Sequence, residues 1–350
     1  MEKLFVEKGY EFDLFGEKVE EDIKKSILEQ KFLIPPFSVF DTKQGYWQDR
    51  KSKWLEVGIK SELGRGEGLT FGLDSFDYDD DKKIQAIKKE LELVNTNNGK
   101  CLPGGFDEEK YGVKQAQSTS IFDPVLCEVC YKWFNIEKGK IFDPFSGGSV
   151  RGIVASLLGF NYTGIDLSLL QVEANKENAK EVIGENFNDS ITWINDDSIN
   201  LSNHVGQDSQ DLIFTCPPYF DLEVYSDKEN DLSNMSWEGF KQNYFDILKY
   251  SANVLKEDRF FIVVVGDVRD SKTGEYVGLV NYTKACLRKL GLKEWNEVIL
   301  LNSIGTACLR ASIPFNSNRK LTKIHQNVLI FYKGTQSKIK ENYKEVKFDY

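Results

Sequence analysis

The sequence predicts an α/β protein built on a doubly wound, mostly parallel sheet with helices on both faces. Three observations lead there. Short apolar runs alternate with amphipathic stretches from about residue 121 to 333. Several of those runs end in an acid or a prolyl turn. A glycine-rich turn follows the first of them, where such sheets bind ligands beyond the carboxyl ends of their strands.

The N-terminal third is less regular. A helix is expected around Glu20 to Gln30, and Pro35-Pro36 ends it. Asp41 to Ile59 mixes rings with charge and reads as a short helix or loop from Gly45 on. Asp77 to Leu93 is a charged helix candidate. Asn95 to Gly105 is a loop, rich in Asn and Gly. The pattern then changes. Ile121 to Phe134 is a helix with Pro124 in its first turn. Strands follow at Lys140 to Phe142, Asn161 to Ile165, Ser190 to Ile194, Leu212 to Phe214 and Phe260 to Val265. Helices are expected over Gly152 to Leu158, Leu169 to Val182, Trp237 to Leu255 and Tyr282 to Leu290. Trp295 to Leu300 and Asn327 to Phe331 are the late strands. The implied organisation is an N-terminal extension over 1–104, a sheet domain over 105–338 and a tail over 339–350.

Composition narrows the class. The chain is 41% hydrophobic, enough for a core, and its net charge of −10 argues against a protein that coats nucleic acid. A local basic cleft stays open. With no eighteen-residue apolar run and no basic-then-apolar leader, a soluble chain without a membrane partner is expected. Cys127 and Cys130 lie i,i+3 in an apolar helical pattern with no second pair at zinc spacing, so core packing and no structural metal are expected.

The strand ends carry the chemistry. The first ends in Asp143-Pro144-Phe145-Ser146-Gly147-Gly148-Ser149, small residues that let a ligand approach the backbone. This is neither GxGxxG nor a P-loop, and an acid at the strand end does not suit a pyrophosphate. The second ends at Asp166, suited to the hydroxyls of a ribose. Asp196-Asp197-Ser198 follow the third, where a carboxylate suits an exocyclic amine. Three acids at neighbouring strand ends point to a nucleoside without phosphate, and an adenosine carrying a charged amino acid fits. The fourth strand ends in Thr215-Cys216-Pro217-Pro218-Tyr219-Phe220. A stiff prolyl turn with an inward carbonyl and a flat ring suits an amine nucleophile on a planar base.

In that order, DPFSGGS, GID, DDS and TCPPY resemble the S-adenosylmethionine-dependent amino-methyltransferases that modify DNA bases. The resemblance implies a Rossmann-like class I methyltransferase fold with a seven-stranded sheet, S-adenosyl-L-methionine as cofactor and double-stranded DNA as partner. It departs from the usual D-P-F-x-G-S-G-T at Gly148 and Ser149, which keep two small residues, and from [D/N/S]-P-P-[Y/F/W] at Cys216. Carried over residue by residue, Asp143, Pro144 and the backbone of Phe145, Ser146 and Gly147 hold the methionine portion. Ser120 and Phe122, just before the first strand, lean over it. Asp166 and Leu167 take the ribose and adenine, and Asp197 with Ser198 the adenine amine. Cys216, Pro217, Pro218 and Tyr219 are the catalytic group, with Phe220 and Tyr225 around a flipped base. Carbon-5 cytosine methyltransferases also use a Cys beside a proline, but in P-C order and with a downstream E-N-V that this chain lacks.

The stretch IPPFSVFDTKQGYWQDRK resembles a subgroup of phage and prophage DNA modification methylases. Tyr46, Trp47, Arg50, Lys51 and Lys53 are therefore expected at the DNA, with Arg269 as a further phosphate contact or a partner for Asp267. The packed alternative is an arm with Trp47 buried. The expectation is a cytoplasmic, bacterial or phage enzyme of the restriction-modification kind, a monomer or weak homodimer, acting on cytosine N4 or adenine N6. A degenerate binding protein and an RNA or protein methyltransferase are the alternatives.

Overall fold

The computed structural model describes residues 34–60, 122–220, 228, 230–270, 273–302 and 307–346, with backbone alone for 5–7, 10–12 and 307–310. The helix candidates at Glu20 to Gln30 and Asp77 to Leu93, and the boundary at 104/105, lie outside those residues. Residues 1–66, 121–302 and 325–350 form one compact unit, and 67–120 with 303–324 a second.

Ten strands are described. Strands β1 (Phe5–Glu7) and β2 (Tyr10–Phe12) make a separate antiparallel pair. The others are β3 (Val39–Asp41), β4 (Lys140–Asp143), β5 (Asn161–Asp166), β6 (Ile191–Asn195), β7 (Gln210–Thr215), β8 (Leu255–Val265), β9 (Lys293–Leu301) and β10 (His325–Lys333). They form one sheet in the order β3-β9-β10-β8-β7-β4-β5-β6. All its pairings are parallel except those of β10, which runs antiparallel to both neighbours. The chain moves outward from β4 to β5 and β6, then returns to place β7 on the other side of β4. The topological switch point therefore lies between β4 and β7, where open α/β sheets form their ligand crevice.

The strands alternate between two cores. Ile141, Leu212, Phe214, Ile262 and Val264 face one, and Phe142, Ile213, Phe261, Val263 and Val265 the other. Both faces are thus covered, which is why these strands read as continuous apolar runs. Helices α1 (Gly45–Glu56), α2 (Pro124–Phe134), α3 (Val150–Leu157) and α4 (Leu169–Ile183) come first, then α5 (Trp237–Val254), α6 (Leu279–Lys289), α7 (Ala307–Asn318) and α8 (Ser337–Asn342). Asp123 caps α2 by accepting from the backbone N–H of Val125 and Leu126.

Strands β4 to β10 are the seven expected, and β3 adds an eighth, parallel to β9. Three residues are too short a run for periodicity to register. Strand β8 starts five residues earlier than its apolar run, because Lys256 and Arg259 are held by Asp211 at 2.8 and 3.3 Å. Helices α7 and α8 had no clear sequence signal.

Helix α1 is fastened to α2 by buried polar groups. The Arg50 guanidinium donates from Nε and Nη2 to the two oxygens of Glu128 at 2.8 and 2.7 Å. Trp54 Nε1 and Lys132 Nζ donate to the same carboxylate, each at 2.7 Å. Trp47 Nε1 donates to Asp123 Oδ2 at 3.0 Å. Burial works against ionisation of Glu128, but Arg50 and Lys132 outweigh it and hold the carboxyl below its ordinary range.

Candidate active site

Strands β4 to β8 deliver their last residues to one edge of the sheet, and that edge holds a row of partly exposed groups. These are Phe145, Gly147 and Gly148 after β4, Asp166 and Leu167 at β5, Asp196 and Asp197 after β6, and Cys216, Pro218 and Tyr219 after β7. Asp267 follows β8. Cofactor and catalytic candidates thus share the crevice at the switch point.

The turn after β4 is satisfied from within. Asp143 is fully buried and accepts from the Phe145 N–H at 3.1 Å, the Tyr162 hydroxyl at 2.9 Å and the Thr215 hydroxyl at 2.7 Å. Arg151 Nε lies 2.8 Å from its second oxygen. The Ser146 N–H donates to the Ile165 carbonyl and the Gly147 N–H to Asp166. Arg151 Nη2 donates to the Phe145 and Ser146 carbonyls, and the Ser198 hydroxyl to the Pro144 carbonyl. This corrects the expected ligand contacts. Asp143, Pro144, Ser146 and Ser198 are internal, and the N–H groups of Phe145 to Gly147 already have acceptors. Asp143 is a positioning residue that ties the end of β7 to the end of β4. The turn offers a ligand its glycine surface, with Gly147 in the left-handed region at φ +49°.

Asp166 is different. One oxygen accepts from the Gly147 N–H at 2.9 Å and the other from the Ser168 N–H at 2.8 Å. Each retains a lone pair for a hydroxyl. The residue as a whole is partly exposed, yet its carboxyl is enclosed by those two turns. Burial pushes its pKa up to about 6 despite the two N–H donors.

Asp196 is held by His204 Nε2 at 2.6 Å and Asn200. Hydrogen bonds from these two hold its carboxyl below the ordinary range. Asp197 caps the following turn through the Ile199 N–H and accepts from Asn230 Nδ2 at 2.7 Å. Lys228 Nζ donates to the Leu167 carbonyl at 2.7 Å. The chain that returns after the TCPPYF turn is therefore fastened to the exits of both β5 and β6. Phe122 covers Arg151, 4.7 Å from ring centroid to guanidinium carbon.

In the TCPPYF turn, Cys216 Sγ lies 3.7 Å from the Tyr219 hydroxyl. The Tyr219 ring lies against Gly266, where an added Cβ would sit 3.8 Å from it. Pro217 is buried and Pro218 partly exposed. Phe220 was expected to line the base pocket. Its ring instead turns into the core, 5.0 Å from Trp237 and 5.5 Å from Phe240. It takes φ +52°, a strained conformation for a bulky residue. The two prolines and two rings thus differ in placement: a stiff turn, one ring partly exposed at the edge and one ring anchored in the core.

The expected DNA contacts divide. Trp47 and Arg50, at 0% and 3% exposure, are committed to the α1–α2 contact and do not face a ligand. Lys51 lies 3.7 Å from Asp123, Lys53 is partly buried and Tyr46 is exposed. Arg269 stacks on Tyr276 at 3.9 Å and donates to the Gly274 carbonyl, so it braces a hairpin and does not hold Asp267. Ser120 and Tyr225 lie outside the described residues. Among the described residues no cluster of His, Cys, Asp or Glu has the makings of a metal site, and no helix is long and apolar enough to cross a membrane. Sequence reasoning missed Tyr162, Arg151 and Thr215 as positioning groups. Arg151, a charge in the otherwise small and apolar start of α3, was the available signal.

Residues 210–350 match the family model N6_N4_Mtase, DNA methylase. No curated protein matches. Among solved structures, TrmN from Thermus thermophilus aligns at 15% identity and TM-score 0.40, over 61% of this chain and 49% of its own. The chain therefore spans about half the length of that protein. A TehB-like SAM-dependent methyltransferase from Corynebacterium glutamicum aligns at 13% identity and TM-score 0.37, over 72% of this chain and 99% of its own. A geranyl diphosphate methyltransferase in complex with SAM aligns at 11% identity and TM-score 0.40, over 60% and 85%.

Proposed function

Starting from the DNA methylase segment at residues 210–350, we propose that this chain transfers a methyl group from S-adenosylmethionine to the exocyclic amine of cytosine (N4) or adenine (N6) in double-stranded DNA. The observation that carries this reading is the meeting, at one switch point, of an enclosed acid and a prolyl turn bearing a partly exposed ring. Asp166 belongs to the first and Cys216, Pro217, Pro218 and Tyr219 to the second.

The group needed fits the residues present. Asp166 would take the ribose hydroxyls, Leu167 the adenine face and Asp197 its amine, with the Gly147-Gly148 surface and Phe122 flanking the methionine end. Bound there, the cofactor supplies an electrophilic methyl group. The target amine is a poor nucleophile because its lone pair is delocalised into the base. A carbonyl acceptor in the Cys216-Pro217-Pro218 turn restores electron density by taking an N–H hydrogen bond. Tyr219 stacks on the base, taken out of its duplex, and aligns nitrogen with the transferring carbon. No strong general base is required, since the nitrogen becomes acidic once it carries the new bond. Residues 34–60 act in this reading as a brace for the catalytic unit, and Tyr46, Lys51 and Lys53 remain its candidates for a DNA contact.

The test is methyl transfer from labelled S-adenosylmethionine to unmodified double-stranded DNA, read as nucleosides by mass spectrometry. N4-methylcytosine or N6-methyladenine is expected, and Tyr219→Ala lowers the rate by roughly 10²-fold through lost alignment. Label in 5-methylcytosine would overturn the amine mechanism. Cofactor binding without transfer to any DNA would favour an RNA or protein substrate, or a non-catalytic binding protein.

A further inference from the structure

Cys216 leaves a chemical gap. It is the first side chain of the turn after β7, and a thiol is a weak hydrogen-bond acceptor. A second acceptor lies one strand away. Strands β7 and β8 are parallel neighbours, with Thr215 paired to Val263. Both chains leave the sheet at the same edge, so Gly266-Asp267 emerges beside Pro217-Pro218-Tyr219. A Cβ added at Gly266 would sit 3.8 Å from the Tyr219 ring. Asp267 Oδ1 is buried and has no hydrogen-bond partner among the described residues. Arg269, the nearest guanidinium in sequence, is engaged with Tyr276 and Gly274. A carboxylate oxygen withdrawn from water without a donor is costly, and such groups call for a functional account.

Strand order says which ligand it meets. The cofactor candidates leave β4, β5 and β6, on one side of β7, whereas Asp267 leaves β8, on the other. On that side its neighbouring strand end is the turn that carries Tyr219, the ring proposed to stack on the base.

Building on the amino-methyltransferase reading above, we infer that Asp267 is a catalytic residue, accepting a hydrogen bond from the target amine in place of the acceptor that Cys216 lacks. The new N–C bond forms from the amine lone pair as the S–C bond breaks. Sulfur keeps that bonding pair and loses its positive charge. The charge passes to nitrogen, and its proton leaves through the Asp267 carboxylate to water.

The experiment uses the full chain, with wild type, Asp267→Asn and the Asp267→Asn/Cys216→Asp double variant. Methyl transfer to duplex DNA gives kcat and KM, titration with S-adenosylhomocysteine gives cofactor affinity, and melting gives stability. Asp267→Asn should lower kcat by about 10²-fold, the scale of one lost transition-state hydrogen bond. KM and S-adenosylhomocysteine affinity should hold within about threefold, and the Tm should stay level or rise, since no hydrogen bond to the buried Oδ1 is lost. The double variant, with a carboxylate restored at the turn, should recover at least tenfold of the loss. A kcat within about threefold of wild type would overturn the inference. So would a parallel loss of cofactor affinity or a lowered Tm, which would make Asp267 structural. A wild type that binds S-adenosylhomocysteine but modifies no DNA would remove the amino-methyltransferase reading itself, and this inference with it.

Discussion

On the proposed assignment of Asp166 to the ribose, its enclosed carboxyl makes cofactor affinity depend on pH in a calculable way. Its pKa stands at about 6 against an ordinary 3.8, because burial disfavours the charge. Ribose hydroxyls donate, so they bind the ionised form and pull its pKa down. Protonation therefore competes with the ligand, and the apparent Kd scales as 1 + 10^(pKa − pH). With a pKa near 6 that factor is about 11 at pH 5 and about 1.1 at pH 7, a tenfold change or about 1.4 kcal/mol. The assay is calorimetric titration of S-adenosylhomocysteine at pH 5, 6 and 7, with wild type and Asp166→Asn. Wild type should weaken about tenfold from pH 7 to pH 5, and the Asn variant should lose that slope. Stability without ligand has the opposite sign. A folded pKa raised above the unfolded value gives a contribution that is fully present below about 3.8 and lost as pH rises through about 6. A flat wild-type Kd across this range, or an equal slope in Asp166→Asn, would refute the assignment of Asp166 to the ribose.

Two further outcomes test the frame around the site. Arg50→Ala leaves the buried Glu128 carboxylate with only Lys132 and Trp54 as partners among the described residues and should cost about 3 kcal/mol in denaturant unfolding. Because Glu128 is held below its ordinary 4.5 when folded, its contribution is present above that value and lost as pH falls through the lower folded one. Arg50→Ala should therefore also reduce the loss of stability on acidification. Gly164→Ala places a Cβ 2.6 Å from that of Ser146 and 2.8 Å from the Tyr162 ring. It should cost about 1–3 kcal/mol by overpacking and weaken S-adenosylhomocysteine binding, since the 143–149 turn must move. Gly45→Ala, with nothing within 4 Å, is the neutral control for both measurements.

The sheet was legible because its strands are buried on both faces and end in unlike residues. Continuous runs such as Phe260 to Val265 cannot be confused with surface, and the acids at Asp143 and Asp166 mark where they stop. Strand β3 was not legible, since three residues carry no period and its partner β9 lies over 250 positions away. In the site, residue type alone could not separate ligand from scaffold. Asp143 and Asp166 read alike as acids at strand ends, yet one is saturated and the other keeps free lone pairs. That difference is set by Tyr162, Thr215 and Arg151, which arrive from β5, β7 and α3. The basic cluster at Arg50 to Lys53 misled for a related reason. Charge in sequence suggests a surface, but the partner of Arg50, Glu128, is 78 residues on and equally buried.

Asp143 joins the turn proposed to hold the methionine end to the strand that carries the proposed catalytic residues. Its carboxylate receives Phe145 from the turn and Thr215 from the residue preceding Cys216. Distances on both sides of the switch point are thereby referred to one buried group. In-line transfer tolerates little error between donor carbon and acceptor nitrogen, and a misplacement of about 1 Å is worth about 10²-fold in rate. A loop-to-loop arrangement would leave that separation to side-chain freedom. Here it is fixed by three short hydrogen bonds and an ion pair inside the sheet, with Arg151 closing the circuit through the Phe145 and Ser146 carbonyls. In the proposed reaction, the acid that begins the motif therefore acts on the geometry without touching either reactant. The groups proposed to touch them, Asp166, Tyr219 and Asp267, lie partly exposed along the same edge.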